Sequence, residues 1–125
     1  MKRDIETRKD IEEILNTFYK QAFQDELIGH FFTEVVPLDL NIHIPVIADF
    51  WEGILFNVHK YGKNVMKIHQ QISDLSPIHK VHLDRWVTLF TATITSLFEG
   101  PKAELMKQRA KSIATLMDIK INHST

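Results

Sequence analysis

Along the chain, segments in which apolar residues recur every three or four positions alternate with short breaks marked by glycine or proline. The first segment predicts a helix over residues 7–25, with Thr7 and Asp10 as a capping pair. Its apolar face comprises Ile11, Ile14, Leu15, Phe18, Ala22 and Phe23. Residues 31–36 then predict a short apolar turn or helix that ends at Pro37.

A second apolar stripe predicts a helix that begins near residues 42–44 and ends at Tyr61-Gly62. The stripe comprises Ile47, Phe50, Trp51, Ile54, Leu55 and Val58. His43 lies on the same stripe, one turn before Ile47. Pro45 fits such a helix only in its first turn, because the N–H groups of the first turn have no intrahelical acceptor and the missing N–H of proline costs nothing there.

Residues 65–72 predict a short helix, and residues 73–75 a polar connection. Ser76-Pro77 has the form of an N-cap followed by proline at the first helical position.

The apolar spacing then continues for about four turns to Gly100-Pro101, and a last helix is predicted over residues 101–120. No segment alternates with period two for long enough to predict a strand. The sequence therefore predicts an all-α fold, and its length of 125 residues predicts one domain over residues 1–125.

Charge and cysteine content exclude several classes of function. Fifteen basic and sixteen acidic residues give a net charge of −1, which argues against a nucleic-acid partner. The absence of cysteine excludes disulfides, thiol catalysis, cysteine-ligated zinc, iron–sulfur clusters and the C-x-x-C-H attachment of a covalent haem. No apolar run has the length of a membrane span and the first residues lack a signal-peptide pattern, so we expect a cytoplasmic protein without a membrane partner.

Seven histidines are the most unusual chemical feature, because imidazole is both a common metal ligand and an acid–base group near neutral pH. His69 ends a short apolar run, which fits either a metal ligand or a core histidine bonded to a backbone carbonyl. Tyr19 and Trp86 lie at apolar helix positions, where a core role is the usual one. Spacing alone leaves both alternatives open.

The order of several motifs resembles that of the group III truncated haemoglobins, a bacterial branch of the shortened globins. The motifs that carry the resemblance are Phe18-Tyr19, Leu27-Ile28-Gly29, Phe31-Phe32, Phe50-Trp51-Glu52-Gly53, Met66-Lys67-Ile68-His69, Ser76-Pro77, His82 to Phe90, Phe98-Glu99-Gly100, Gln108-Arg109-Ala110 and Ile113-Ala114. Together they span nearly the whole chain.

The resemblance implies a two-over-two helical sandwich around non-covalent haem b, with His69 as the proximal iron ligand. It places Tyr19 and Trp86 on the distal side, with His43 facing the bound ligand or turned away from it. The pocket walls that it implies are Phe18, Ile47, Phe50, Trp51, Met66 and Phe90. His82 and Arg85 are candidates for contacts to the haem propionates, and a solvated surface position is the alternative for Arg85.

The resemblance also implies that the protein binds O₂, NO, CO or a similar small ligand. Hydrogen bonds from Tyr19 and Trp86 are expected to slow the release of O₂, which favours redox chemistry such as NO oxidation or peroxide handling, with a reductase as electron donor. A haem-based sensor or storage protein without turnover is one alternative. A haem-free helical interaction domain is another.

Overall fold

A computed structural model describes residues 2–58 and 65–123, without the side chains of residues 65–68 and 70. Its α-helices are α1 (Arg8–Gln24), α2 (Leu40–Phe56), α3 (Val65–Leu75), α4 (Lys80–Leu97) and α5 (Pro101–Asn122). A π-helical turn, Phe31–Val35, lies between α1 and α2. The described residues contain no strand, so the all-α prediction is confirmed.

The helices pack as two pairs, α1 with α2 and α4 with α5, and α1 also packs on α4. This is the predicted two-over-two arrangement. The shorter α3 packs on α5. Burial of the apolar stripes drives this packing, because a helix with one apolar face is stable only when that face is covered. The side chains with at most 1% exposure, which mark the centre of the core, are Ile11, Ile14, Leu15, Phe18, Ala22, Ala48, Phe90, Ile94, Ala103, Met106 and Ala110.

The first helix begins as predicted. The carboxylate of Asp10 accepts hydrogen bonds from the backbone N–H groups of Glu6 at 2.8 Å and Thr7 at 3.1 Å, which satisfies donors that precede the helix. Asp10 also accepts two hydrogen bonds from the guanidinium of Arg3, at 2.5 and 2.8 Å. The N-terminal arm is thereby fixed to α1.

The predicted ends of α2 were wrong at both sides. The helix begins at Leu40, because the side chain of Asp39 accepts a hydrogen bond from the N–H of Asn41 at 3.0 Å and caps it there. Pro45 therefore lies in the second turn. The helix ends at Phe56, because Asn57 adopts the left-handed conformation with φ of 59°; the predicted end signal at residues 61–62 lies outside the described residues.

The predicted start of α4 was also wrong. Ser76 closes α3 by donating its N–H to the carbonyl of Ile72 at 2.9 Å. The N-cap of α4 is His79, whose backbone N–H donates to Nδ1 of His82 at 2.9 Å. A histidine ring here replaces the Glu or Gln side chain that usually makes this contact.

Candidate functional site

A hydrogen bond joins Tyr19 of α1 to His43 of α2. The Tyr19 hydroxyl lies 2.8 Å from Nε2 of His43, and the two rings meet edge-on with centroids 5.2 Å apart. Tyr19 is buried and His43 is half-buried. In this structure the imidazole of His43 is therefore turned toward the tyrosine, and not away from it.

Aromatic rings surround Tyr19. Its ring meets those of Phe18, Phe32 and Phe23 edge-on, at centroid distances of 5.0, 5.7 and 6.4 Å. Burial raises the pKa of the Tyr19 phenol well above its usual value, because the shell would not solvate a phenolate. The hydroxyl thus keeps its proton near neutral pH and is available as a hydrogen-bond donor.

Three further rings form a continuous stack. Phe90 lies between Trp86 and Trp51, with centroid distances of 5.3 and 5.4 Å and interplanar angles of 11° and 22°. Phe18 meets Phe90 edge-on at 5.2 Å and Trp86 at 6.4 Å, so it connects this stack to the rings around Tyr19. The structure thereby brings Phe18, Tyr19, Trp51, Trp86 and Phe90, all predicted site residues, into one cluster.

Trp86 is the half-buried end of this stack, whereas Trp51 and Phe90 are buried. No hydrogen bond from the Trp86 indole N–H to another part of the chain is found among the described residues. A buried or half-buried tryptophan N–H usually has an acceptor. The Trp86 indole N–H is therefore open to an acceptor from outside the described residues.

One flank of α2 is apolar and only half-buried. His43, Ile47, Phe50 and Ile54 lie within roughly 60° of one another around the helix axis, since each residue turns the helix by about 100°. The predicted wall residues Ile47 and Phe50 belong to this flank, which adjoins the contact between Tyr19 and His43. A flat apolar molecule could cover such a surface.

His69, the predicted iron ligand, is the fifth residue of α3 and is half-buried. His69 is not without a partner in the chain. Met66, predicted as a wall residue, lies one turn earlier in α3, and its side chain is outside the described part of the structure.

Arg85 and His82, the two residues predicted to contact the haem propionates, both have other partners in the chain. Arg85 is exposed, and its Nε and Nη2 donate to Oδ1 of Asp25 at 2.9 and 2.8 Å. This pairing, with N–H bonds from Leu27 and Ile28, holds the pKa of Asp25 below its usual value. It ties the turn after α1 to α4, and a propionate contact of Arg85 stays a prediction.

His82 is part of a histidine group at the start of α4. Its ring lies 5.1 Å from that of Phe31, 5.6 Å from that of His79 and 6.1 Å from that of His30. Burial lowers the pKa of His82 first of all, and the neighbouring His79 and His30 lower it further. His82 therefore favours its neutral form, which weakens it as a cationic partner for a propionate near neutral pH; this contact, too, stays a prediction.

Several contacts of the site residues could not be predicted from the sequence. Phe32 belongs to an apolar run and to one of the motifs that carry the resemblance, but no contact was predicted for it. The structure places its ring beside that of Tyr19 and stacked on that of Phe23, with centroids 5.9 Å apart. The pair of Asp25 and Arg85 joins residues 60 positions apart. Asp25 is the last residue of the predicted first helix and is followed by Glu26, and spacing along the chain does not indicate which of these carboxylates pairs with Arg85.

The chain has a truncated-globin fold. This follows from its similarity to the crystal structure of the group III truncated haemoglobin from Campylobacter jejuni, with a TM-score of 0.84 and 22% identity over 100% of this chain and 99% of that one. The chain is also 24% identical over 118 residues to the Group 3 truncated hemoglobin ctb of Campylobacter jejuni, covering 92% of this chain and 91% of the relative. No protein-family model matches. The resemblance predicted from the sequence is confirmed.

Within this globin fold, α1, α2 and α4 carry the aromatic cluster and α3 carries His69. Across the described ranges, no three histidine or carboxylate side chains form a group that could hold a metal ion together. None of the described helices has both the length and the apolar character needed to cross a bilayer.

Proposed function

We propose that this protein binds haem b through His69 and takes O₂, NO, CO or a similar small ligand beside Tyr19, His43 and Trp86. The observation that carries the proposal is the hydrogen-bonded pair of Tyr19 and His43, set in an aromatic shell at the edge of a half-buried apolar flank. The similarity to a sequence and to a crystal structure that are both named as a group III truncated haemoglobin supports it.

The residues present fit haem. A neutral imidazole is a standard axial ligand, and His69 offers one from a half-buried position on a helix. The faces of a porphyrin need apolar walls, and the flank of α2 with Ile47 and Phe50 supplies one. Phe18, Trp51, Phe90 and Met66 are assigned to the surrounding wall as part of the same proposal.

When bound, haem supplies an iron centre that accepts a diatomic ligand. The chain supplies two donors beside it, the Tyr19 O–H and the Trp86 N–H. In a pocket from which bound haem excludes water, each hydrogen bond to a polar ligand would contribute about 1–2 kcal/mol, and about 1.4 kcal/mol is a tenfold change in affinity. In the tautomer whose Nε2 accepts from Tyr19, His43 competes with the ligand for the tyrosine O–H.

Two donors favour slow release of a polar ligand, which is unsuited to a carrier that must unload. The activity that we propose is therefore turnover of the bound ligand, as in oxidation of NO by O₂ or handling of peroxide, with electrons from a reductase. His82 and Arg85 remain the candidates for propionate contacts. Arg85 would need to share or release Asp25 for this role.

Titration of the purified full chain with hemin tests the proposal. We expect saturation at one equivalent and a Soret band near 400–430 nm, which belongs to the porphyrin and not to the polypeptide. A chain that takes up no hemin would instead be a helical interaction domain. A haem protein that consumes neither NO nor peroxide in the presence of a reductant would act as a sensor or store.

A further inference from the structure

We propose that Arg8 is a positioning residue that sets the rotation of α2 about its own axis and thereby the contact of His43 with Tyr19. This inference rests on the proposed function only in the importance that it gives to His43. The contacts of Arg8 with Pro45, Asp49 and Glu52, here called the clamp, are observed among the described residues and do not depend on that function.

Arg8 binds three successive turns of α2. Its Nη2 donates to the carbonyl of Pro45 at 3.0 Å, and its Nη1 donates to Oδ1 of Asp49 at 2.6 Å and to Oε1 of Glu52. Its Nε is held within α1 by Oε2 of Glu12 at 3.3 Å. A planar guanidinium holds several acceptors in a fixed geometry, which a single ammonium group cannot do.

The clamp is partly buried, which increases its strength. Glu52 has only 8% exposure, and the side chain of Arg8 has 28%. A carboxylate in this position loses most of its hydration and needs a cation beside it. Arg8 therefore holds Glu52 more firmly than an ion pair on an open surface would.

The clamp and the candidate site lie on opposite flanks of α2. At about 100° per residue, Pro45, Asp49 and Glu52 share one flank, roughly 160° from the flank of His43. The buried face, with Ile44 and Ala48, lies between the two flanks. A rotation of α2 that lengthens the contacts of Arg8 therefore also displaces His43.

The displacement is large enough to matter. A helix has a radius of about 5–6 Å with its side chains, so a rotation of about 10° moves a side-chain tip by about 1 Å. The 2.8 Å contact between Tyr19 and His43 would then exceed hydrogen-bonding distance.

The first turns of α2 need such support, because Pro45 has no N–H to donate to the carbonyl of Asn41.

A double-mutant cycle tests the inference. The free energy of unfolding of the full chain as purified is measured by urea titration for Tyr19→Phe in three backgrounds: the unmodified chain, Arg8→Met and Lys9→Met. Lys9 is the matched control, an exposed cation in the same turn of α1. Arg8 and Tyr19 are 11 positions apart in α1, roughly 16 Å along the axis, where additivity is the ordinary result.

We expect Tyr19→Phe to raise the unfolding constant about fivefold in the unmodified chain and in Lys9→Met, and less than twofold in Arg8→Met, where the contact is already lost. Equal factors in all three backgrounds would overturn the inference. Should Arg8→Met fail to fold, Asp49→Asn removes one acceptor of the clamp and takes its place in the cycle. A chain that binds no hemin would overturn the proposed function, but the double-mutant cycle would still test the role of Arg8.

Discussion

The hydroxyl of Tyr19 and Nε2 of His43 are hydrogen-bond partners at 2.8 Å, which joins the middle of α1 to the first turn of α2. Where Nε2 of His43 is unprotonated and accepts this hydrogen bond, a ligand that accepts from the Tyr19 hydroxyl competes with His43 for the same O–H. Under the proposed function, His43 then stabilises the ligand-free arrangement. Spacing along the chain alone could not place these two residues together.

Removal of either donor should speed the release of O₂. Tyr19→Phe and Trp86→Phe each delete one hydrogen bond while keeping an aromatic ring, so we expect the dissociation rate to rise about tenfold for each. Stopped-flow displacement of O₂ by CO measures the rate. Thr88→Val is the control, because it removes a hydroxyl from an exposed position of α4 that bonds only to Asp84 among the described residues. Unchanged rates in both aromatic variants would refute the donor roles.

Because of Asp10, the free energy of unfolding of the protein should fall at acid pH. Its bonds to Arg3 and to backbone N–H groups lower the pKa of this carboxyl to about 2, against about 3.9 in an unfolded chain. The resulting stabilisation is present above about pH 4 and is lost as the pH falls toward 2. Asp10→Asn should therefore cost about 2 kcal/mol at pH 7 and much less at pH 2.5, measured by urea unfolding. Glu13→Gln, at an exposed position of the same helix, should show no such difference; a pH-independent cost for Asp10→Asn would contradict the argument.

Gly100 should not tolerate a side chain. Its φ of 148° favours glycine, and a Cβ atom would lie 2.5 Å from Cγ of Asp4. That carboxylate caps α5 by accepting the N–H groups of Lys102 and Ala103, each at 2.9 Å. We expect Gly100→Ala to lower the free energy of unfolding by about 1–3 kcal/mol, from strain and from a displaced cap. Thermal unfolding measures this, and Glu99→Ala at the exposed neighbouring position should change it by less than about 0.5 kcal/mol. A Gly100→Ala variant as stable as the parent would show that the cap adapts.

His82 should titrate below its ordinary range. Its neutral ring accepts the N–H of His79, and its pKa is lowered by burial and by the two neighbouring histidines. A base with a lowered folded-state pKa contributes stability above its unfolded pKa of about 6.5 and loses it as the pH falls through the folded value. We therefore expect an NMR titration midpoint below 6.5 for His82 and a loss of stability on acidification that starts near that pH.

The variant His82→Gln separates the titration from the cap, because a glutamine oxygen can accept the same N–H without binding a proton. This variant should lack the part of the loss of stability on acidification that begins near pH 6.5. His123→Gln, an exposed histidine beyond α5, should leave that part in place. An identical pH profile for both variants would exclude His82 as its source.

The helices were predictable because each has a continuous apolar stripe, whereas the predicted starts of α2 and α4 were wrong because a side-chain cap determines each start. Asp39 starts α2 before Pro45, and His79 starts α4 after Pro77. A proline marks where a helix is permitted to begin, whereas a cap determines where it does begin.

The sequence predicted which residues belong to the candidate site, but not which of them contact one another across different helices. The aromatic spacing of α4 indicates that Trp86 and Phe90 share a face, which is a local property. That Phe90 also stacks on Trp51, or that Arg8 reaches Glu52, depends on how separate helices pack. Single-helix periodicity contains no information on such pairs.

The absorbance spectrum of the CO-bound, reduced protein, compared between the unmodified chain, His69→Ala and His123→Ala, tests the central claim most directly. We predict the Soret band of a histidine-ligated haem in the unmodified chain and in His123→Ala. In His69→Ala we predict its loss or shift, with recovery when imidazole is added. A colourless chain that takes up no hemin, or a His69→Ala spectrum identical to that of the unmodified chain, would contradict the account.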